Sequence, residues 1–479
     1  MKQKSNSKWL LTSATTLIVT VILLFPTCGK KELASKDFLV GSFRNEVNGW
    51  IYIHVEGEPF QRGYQHGYLL GDEIATKVLP NVKFYIETVL GSSWDTFRDV
   101  VTRIHWPKTP DEYQKEIQGI AEGVTAKGHK DVDIIDIAAL NNWLQIAWGY
   151  LPWSQAKEMA KIELKDLSIG ACSAFIATGD ATANGEIVMA HNTWIDYVYG
   201  IYWNIIIDLT PETGHSIMVQ TCPGFIHSGP DWCMNSNGIM VTETTIAGFF
   251  GFDPEGIPET VRLRKATQYA NSIDEWIDIM VHGANGEYAN DWLVGDRKTG
   301  EIACLELGIK NHRVWRKTNG YFVGSNIAQD QKLREEETKF PYDDRNTSMA
   351  SRWARWEQLM KANYGQIDVD LAKKMISDHH DISLGKEQAS ANTICGHIDL
   401  DVRGLPQWEC PAYYPCGAID GKIISSTLNK NWKMWCAFGH PCGLGFDANK
   451  FLQQHTEFID QKPQLADLPS YPWTLFPPK

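Results

Sequence analysis

The stretch IGACSAFIATGDATANGEIVMAHNTW, residues 169–194, holds a cysteine behind two small residues, Gly170 and Ala171, and carries a His191-Asn192 pair near its far end. A thiol at the start of a strand, behind residues that accept a tight and strained turn, has a specific chemical use. It can attack the carbonyl of Ala171, move that acyl group from nitrogen to sulfur, and release the resulting ester to water. The chain is then cut between Ala171 and Cys172, and Cys172 keeps a free α-amino group. An unperturbed α-amino group titrates near about 7.7 to 8.0, so it can act as the base for its own thiol. No separate catalytic histidine is required.

The same stretch reads as two short strands, 173–177 and 186–190, with Asn184-Gly185 as a turn signal. A loop over 179–185 would face Thr178 with Glu186 and set Cys172 opposite Asn192, with His191 one step away. An imidazole and an amide then come close to the thiol. Taken alone, a cysteine on a strand is ordinarily a small buried hydrophobe, and a His-Asn pair at a strand end ordinarily caps a turn.

The elements that must position these groups fall into two parts. Residues 50–55 alternate apolar and polar side chains, a strand signal, and helical patterns follow over 64–90, 110–127 and 131–150. From about 167 to 330 short β-type runs dominate, at 173–177, 186–190, 202–208, 216–220, 238–242, 291–295 and 302–306. Segments 271–281 and 348–362 are helical. No internal repeat or low-complexity linker interrupts the chain. The reading is one α+β unit in which a mostly helical N-terminal portion leans on a sheet-rich core.

At 479 residues, 43% hydrophobic and 22% charged, the chain can bury a sizeable core. Its net charge of −13, with no basic stripe, argues against nucleic acid as a partner. Nineteen tryptophans suit core packing, or an aromatic cleft for an acyl chain or sugar. The N-terminus carries Lys2, Lys4 and Lys8, then an uncharged apolar run over 9–25, which reads as an export signal. The sequence FPTCG at 25–29 resembles a bacterial lipoprotein signal, although Phe25 and Pro26 depart from its usual pattern. That resemblance implies a lipid on Cys28, membrane association through the N-terminus, and a periplasmic or cell-surface location. The expected division is a signal segment 1–28, a helical portion 29–171 that stays associated after self-cleavage, and a core 172–479 beginning at the nucleophile. Eight further cysteines permit disulfides, and the equal spacings of Cys410 with Cys416 and Cys436 with Cys442 suggest local pairs. No C-x-x-C is present, so a zinc ribbon is disfavoured.

Context for Cys172 comes from a resemblance. ACSAFIATG and GEIVMAHNTW, with NSNGIMVTETTI at 235–246, are similar to the phospholipase B-like proteins. GWIYIHVEGEPFQRGYQHGYLL at 49–70, EIQGIAEG at 116–123 and NDWLVGDRKTGEIACLELG at 290–308 are similar to the isopenicillin N acyltransferase-like hydrolases. Both belong to the N-terminal-nucleophile (Ntn) hydrolases, as do the bile salt hydrolases of the choloylglycine hydrolase group, and the likeness runs from about residue 45 to 445. It implies a four-layer αββα sandwich and makes Cys172 the nucleophile. His191 stands where the bile salt hydrolase branch has an arginine, and Asn192 matches the asparagine beside it. The aspartate that follows in that branch is replaced by Thr193-Trp194. Asn326, in YFVGSNIAQ, resembles an oxyanion-hole asparagine, and Arg352, in SMASRWARW, resembles an arginine at the same centre. Thr244 and Thr245 stand where that branch carries another oxyanion asparagine. Without the resemblance, Asn326 reads as a turn residue and Arg352 as a surface helix residue.

The expected function is an exported, self-processing cysteine hydrolase that cleaves a non-peptide amide or ester through a thioester on Cys172. Its substrate would be a small acyl amide or a lipid ester. The alternatives are an acyltransferase, in which an amine receives the acyl group, and a surface lipoprotein that binds without chemistry. No cofactor and no metal are expected. SDHHDIS at 377–383 reads as a solvated loop, because adjacent histidines point apart. NTICGH at 392–397 lacks the signatures of a papain-like site. Oligomeric state has no signal in the sequence.

Overall fold

The computed structural model describes residues 37–159 and 171–478. The chain opens with the hairpin β1 (Phe43–Val47) and β2 (Trp50–Gly57), turned at Asn48-Gly49 with both residues at positive φ. Helices Pro59–Leu69, Leu79–Thr88, Trp94–Val100, Asp111–Lys127, Ile134–Gln145 and Leu151–Met159 follow. The single helix expected over 64–90 is broken: a wider π turn spans Ile74–Val78, and the next segment carries Pro80 in its first turn, where its missing N–H is harmless. Helices Pro59–Leu69 and Asp111–Lys127 cross backbone to backbone. A Cβ on Gly63 would stand 2.0 Å from the Glu116 carbonyl oxygen, and one on Gly119 would stand 2.2 Å from that of Phe60.

The core then supplies β3 (Ala171–Gly179), β4 (Gly185–Asp196), β5 (Ile205–Pro211), β6 (Ile217–Thr221), β7 (Trp232–Asn235), β8 (Ile239–Thr245), β9 (Asn290–Asp296), β10 (Glu301–Leu307), β11 (His312–Lys317) and β12 (Gly320–Gly324). A two-stranded ribbon, β13 (His380–Asp381) with β14 (Lys386–Glu387), precedes β15 (Cys416–Ala418), β16 (Asp420–Ser425), β17 (Met434–Phe438) and β18 (Thr474–Phe476). One sheet has nine strands in the order β1-β2-β5-β6-β7-β8-β9-β10-β11; the other runs β12-β3-β4-β16-β17-β18, with β15 also on β4. All of these pairings are antiparallel except one: β2, from the helical portion, lies parallel to β5 from Ile51 opposite Ile205 to Gly57 opposite Pro211.

The two sheets pack face to face. β3 lies over β8 and β9, and Gly295 of β9 leaves room for Ile176 and Ile187, whose methyl carbons would stand 3.1 and 3.3 Å from a Cβ there. Helix Val369–Ile376 covers β4 and β16 on one outer face, while helices Glu259–Tyr269 and Ile273–Val281 cover β7, β9 and β10 on the other. The result is an α+β, four-layer αββα sandwich. Most tryptophans serve as packing; Trp50, Trp143, Trp194, Trp203, Trp232, Trp276, Trp292, Trp356 and Trp408 are fully buried. Two others, Trp315 and Trp353, line a cleft of about 430 Å³ between β10, β11 and β12 and helix Ser348–Ala362. No helix among the described residues is long and apolar enough to cross a membrane.

Candidate functional site

Strands β3 and β4 pair as a hairpin, but one residue out of the expected register. Gly179 faces Gly185; a bulge between Ala177 and Gly179 then shifts the ladder, so that Ala177 faces Val188 and Cys172 faces Thr193. Because strand side chains alternate between faces, that single step exchanges the two helpers. His191, opposite Ala174, falls on the thiol's face; Asn192, opposite Ser173, falls on the other. The expectation of Asn192 beside the thiol is therefore corrected. Its Oδ1 accepts from the Ser173 N–H at 3.2 Å and the Trp194 indole at 3.0 Å, while its Nδ2 donates to the carbonyls of Ile376 at 3.2 Å and Ile394 at 2.9 Å. It ties the hairpin to the segment beneath.

Cys172, 1% exposed, lies beside His191 and Glu243, and ligand-type atoms of all three lie within 4.8 Å of one another. Burial drives the thiol's pKa above its ordinary value and drives that of His191 well below 6.5, so the imidazole is neutral. Neither ring nitrogen of His191 has a well-aligned hydrogen-bond partner.

Asn326 and Arg352 meet at the backbone of Cys172. Asn326 follows β12 with φ at 67°, a left-handed conformation that asparagine tolerates. Its Oδ1 accepts from the Cys172 N–H at 3.0 Å, and its Nδ2 donates to the Thr245 carbonyl at 2.8 Å. One of the two N–H groups of the amide expected in an oxyanion hole is thus engaged with Thr245, while the oxygen holds the Cys172 nitrogen. Thr244 contributes its hydroxyl, 3.4 Å from the Asn326 N–H.

Arg352 is fully buried, not a surface helix residue. It is fixed by helix Ser348–Ala362, which begins at the Thr347 cap, and its Nε donates to Ser348 Oγ at 3.1 Å. Nη1 donates to the Cys172 carbonyl at 2.5 Å and to Ser173 Oγ at 3.2 Å; Nη2 donates to Asn326 Oδ1 at 2.9 Å. The guanidinium lies 4.4 Å from the Trp194 ring centroid, and burial lowers its pKa to about 9.

Several neighbours carried no sequence signal. Lys422 of β16, opposite His191, is fully buried; its Nζ donates to Thr193 Oγ1 at 2.6 Å and pairs with Asp420 at 3.0 Å. Asp420 accepts from the Thr193 N–H at 2.9 Å and from Gln220 at 2.7 Å. Beyond Glu243 lies a set of buried carboxyls. The Tyr288 hydroxyl donates to Asp231 at 2.8 Å; burial lifts Asp231 to about 7, Glu259 to about 8, and Glu243 well above the carboxylate range.

These shifts have a definite sign. A carboxyl whose folded pKa lies above its unfolded value stabilises fully below the unfolded pKa, and that contribution is lost as pH rises through the folded one. For Glu259 the window runs from about 4.3, the unperturbed value, to about 8. The fold should therefore lose stability from this group between those limits, and Glu259→Gln should flatten that slope. Urea midpoints of both proteins across the window are the check; parallel curves would show that Glu259 ionises normally.

No disulfide joins the described cysteines. Cys436 and Cys442 do not pair as their spacing suggested: Cys442 Sγ faces His397 Nε2 at 3.5 Å. Nor is 377–383 simply a solvated loop. His380 meets Glu387 at 2.9 Å near the surface, whereas His379 turns inward with its Nε2 buried. Cys28 lies outside the described residues, and Ala171 begins β3 opposite Trp194.

Comparison with known proteins adds a family signal. Residues 104–304 match the family model described as phospholipase B. The chain resembles the phospholipase B-like proteins. An Archaeoglobus fulgidus protein is 25% identical, over 81% of this chain and 68% of its own. A Caenorhabditis elegans protein provisionally named phospholipase B-like 1 is 21% identical, over 88% of this chain and 84% of its own. Among solved structures, a mutant conjugated bile acid hydrolase from Clostridium perfringens aligns with 55% of this chain and 88% of its own, at 10% identity and a TM-score of 0.32. The matched span of the phospholipase B model takes in Cys172, His191 and Glu243 but ends before Asn326 and Arg352.

Proposed function

We propose that this chain is a hydrolase of acyl bonds, an ester or a non-peptide amide, that works as a self-processing N-terminal-nucleophile enzyme with Cys172 as nucleophile. The likeness to phospholipase B-like proteins supports the coarser part of this reading, a hydrolase of acyl bonds. The observation that carries the finer reading is the acceptor already on the Cys172 nitrogen: Asn326 Oδ1 at 3.0 Å. When the bond from Ala171 is cut, that nitrogen becomes an α-amine and keeps the same acceptor. The amine takes the thiol proton, and the thiolate attacks the substrate carbonyl. The leaving alcohol or amine departs protonated, and water then cleaves the thioester.

Arg352 orients the nucleophile by holding its carbonyl. His191 suits the oxyanion: neutral through burial, with no well-aligned partner on its ring nitrogens, it can donate one N–H beside the thiol. Export, and anchoring through a lipid on Cys28, are part of the same proposal and rest on residues 1–28.

The test is the denatured intact mass of the full chain beside Cys172→Ala. Two fragments meeting between Ala171 and Cys172, absent in the variant, are expected. One uncut chain in both samples would overturn self-processing.

A further inference from the structure

A second cluster lies away from the thiol site, where three loops meet: the turn after helix Val369–Ile376, the segment before the short helix Ile398–Leu400, and the loop after β17. They bring together His379, Cys395, His397 and Cys442, whose ligand atoms all lie within 4.8 Å of one another. Two separations are fixed more closely: Cys395 Sγ to His397 Nε2 is 3.6 Å and Cys442 Sγ to His397 Nε2 is 3.5 Å. A tetrahedral zinc site, with Zn–S of about 2.3 Å and Zn–N of about 2.0 to 2.1 Å, places a sulfur and a nitrogen roughly 3.5 Å apart along an edge. The two measured separations match that edge length. Neither thiol is in a disulfide, and His379 Nε2 is buried with no hydrogen-bond partner beyond the cluster.

The surroundings favour the same reading. His440, whose ring centroid lies 4.2 Å from that of His397, is engaged elsewhere: its Nε2 meets the Tyr197 hydroxyl at 2.9 Å and its Nδ1 meets the Leu444 carbonyl at 2.7 Å. Asp399 Oδ1 stands 3.9 Å from His397 Nδ1, on the side of the ring that a carboxylate takes when it steadies a metal-bound histidine. Two thiolates and two neutral imidazoles offset one divalent charge, which a mostly buried site requires.

We propose that His379, Cys395, His397 and Cys442 bind one zinc ion as a structural site. Binding replaces the two thiol protons, which leave to solvent, with two Zn–S bonds; no electron is transferred. The ligands come from 379, 395, 397 and 442, so no C-x-x-C announces them. The clip would fasten the segment whose Ile376 and Ile394 carbonyls Asn192 holds, beneath the strand that begins at Cys172.

The test uses the full chain, reduced and in detergent, titrated with cobalt(II) and then zinc(II). One equivalent of cobalt should give thiolate-to-cobalt charge-transfer and tetrahedral ligand-field bands that zinc abolishes. The charge-transfer band should weaken in Cys442→Ser and vanish in Cys395→Ser/Cys442→Ser, while Cys222→Ser leaves it unchanged. Absence of these bands in the wild-type chain, their persistence in the double variant, or a Cys395 to Cys442 disulfide in peptides from the isolated chain would overturn the site. Should the variants not fold, the wild type decides: with zinc, its thermal midpoint should rise and a chelator should reverse the rise, and an unmoved midpoint counts against the proposal.

Discussion

Arg352→Met should lower kcat for an ester or amide substrate by about two to four orders of magnitude, with KM little changed. The guanidinium makes charge-assisted contacts to the Cys172 carbonyl and to Asn326 Oδ1, the atom that holds the Cys172 nitrogen. Hydrogen bonds to charged groups contribute roughly 1.5 to 3 kcal/mol each, and every ~1.4 kcal/mol of lost transition-state stabilisation is tenfold in rate. The variant should still fold. Arg352 is buried with acceptors that are carbonyl, hydroxyl and amide oxygens, so its removal strands no carboxylate, and a methionine fills much of its volume against Trp194. Turnover within a few-fold of wild type, in a chain with unchanged circular dichroism, would reduce Arg352 to a packing residue.

Lys422 has the opposite profile: its loss should be felt in stability first. Its ammonium and the Asp420 carboxylate are both fully buried and 3.0 Å apart, and they are held in place by Thr193, Pro230 and Gln220. Lys422→Met leaves that carboxylate uncompensated, which costs about 3 to 5 kcal/mol in pairs of this kind. Adding Asp420→Asn should recover a good part of the loss. Denaturant melts of the two single variants and the double give the coupling directly. Additive losses would mean that the pair is not acting as a pair.

How much of this was legible in the sequence depends on what each residue's neighbours reveal. The helical start, the sheet-rich core and the strands flanking Cys172 follow from periodicity, and the αββα layering follows from the resemblance. The register of β3 on β4 was misplaced by a bulge, because the loop from Gly179 to Gly185 admits more than one turn geometry and nothing local chooses among them. That single step moved Asn192 away from the thiol. Glu243, Asp420 and Lys422 stayed hidden for another reason. A strand pressed between a second sheet and a helix layer has no solvent face, so a polar residue on it does not mark an outward side. Their partners lie in remote parts of the chain, as do the four groups gathered around His397. Asn326 carried a signal only in its resemblance; the left-handed backbone that aims its amide is visible in the fold alone.

The parallel pairing of β2 with β5 makes the first part of the chain a structural complement of the second. Without it, the seven-residue strand β5 would be a bare sheet edge, its outward backbone donors and acceptors unpaired, an invitation to intermolecular strand addition. Residues before Cys172 thus serve as an internal chaperone for the sheet. Two separately produced pieces divided at that point should be poorly soluble apart and should recover a common fold when refolded together.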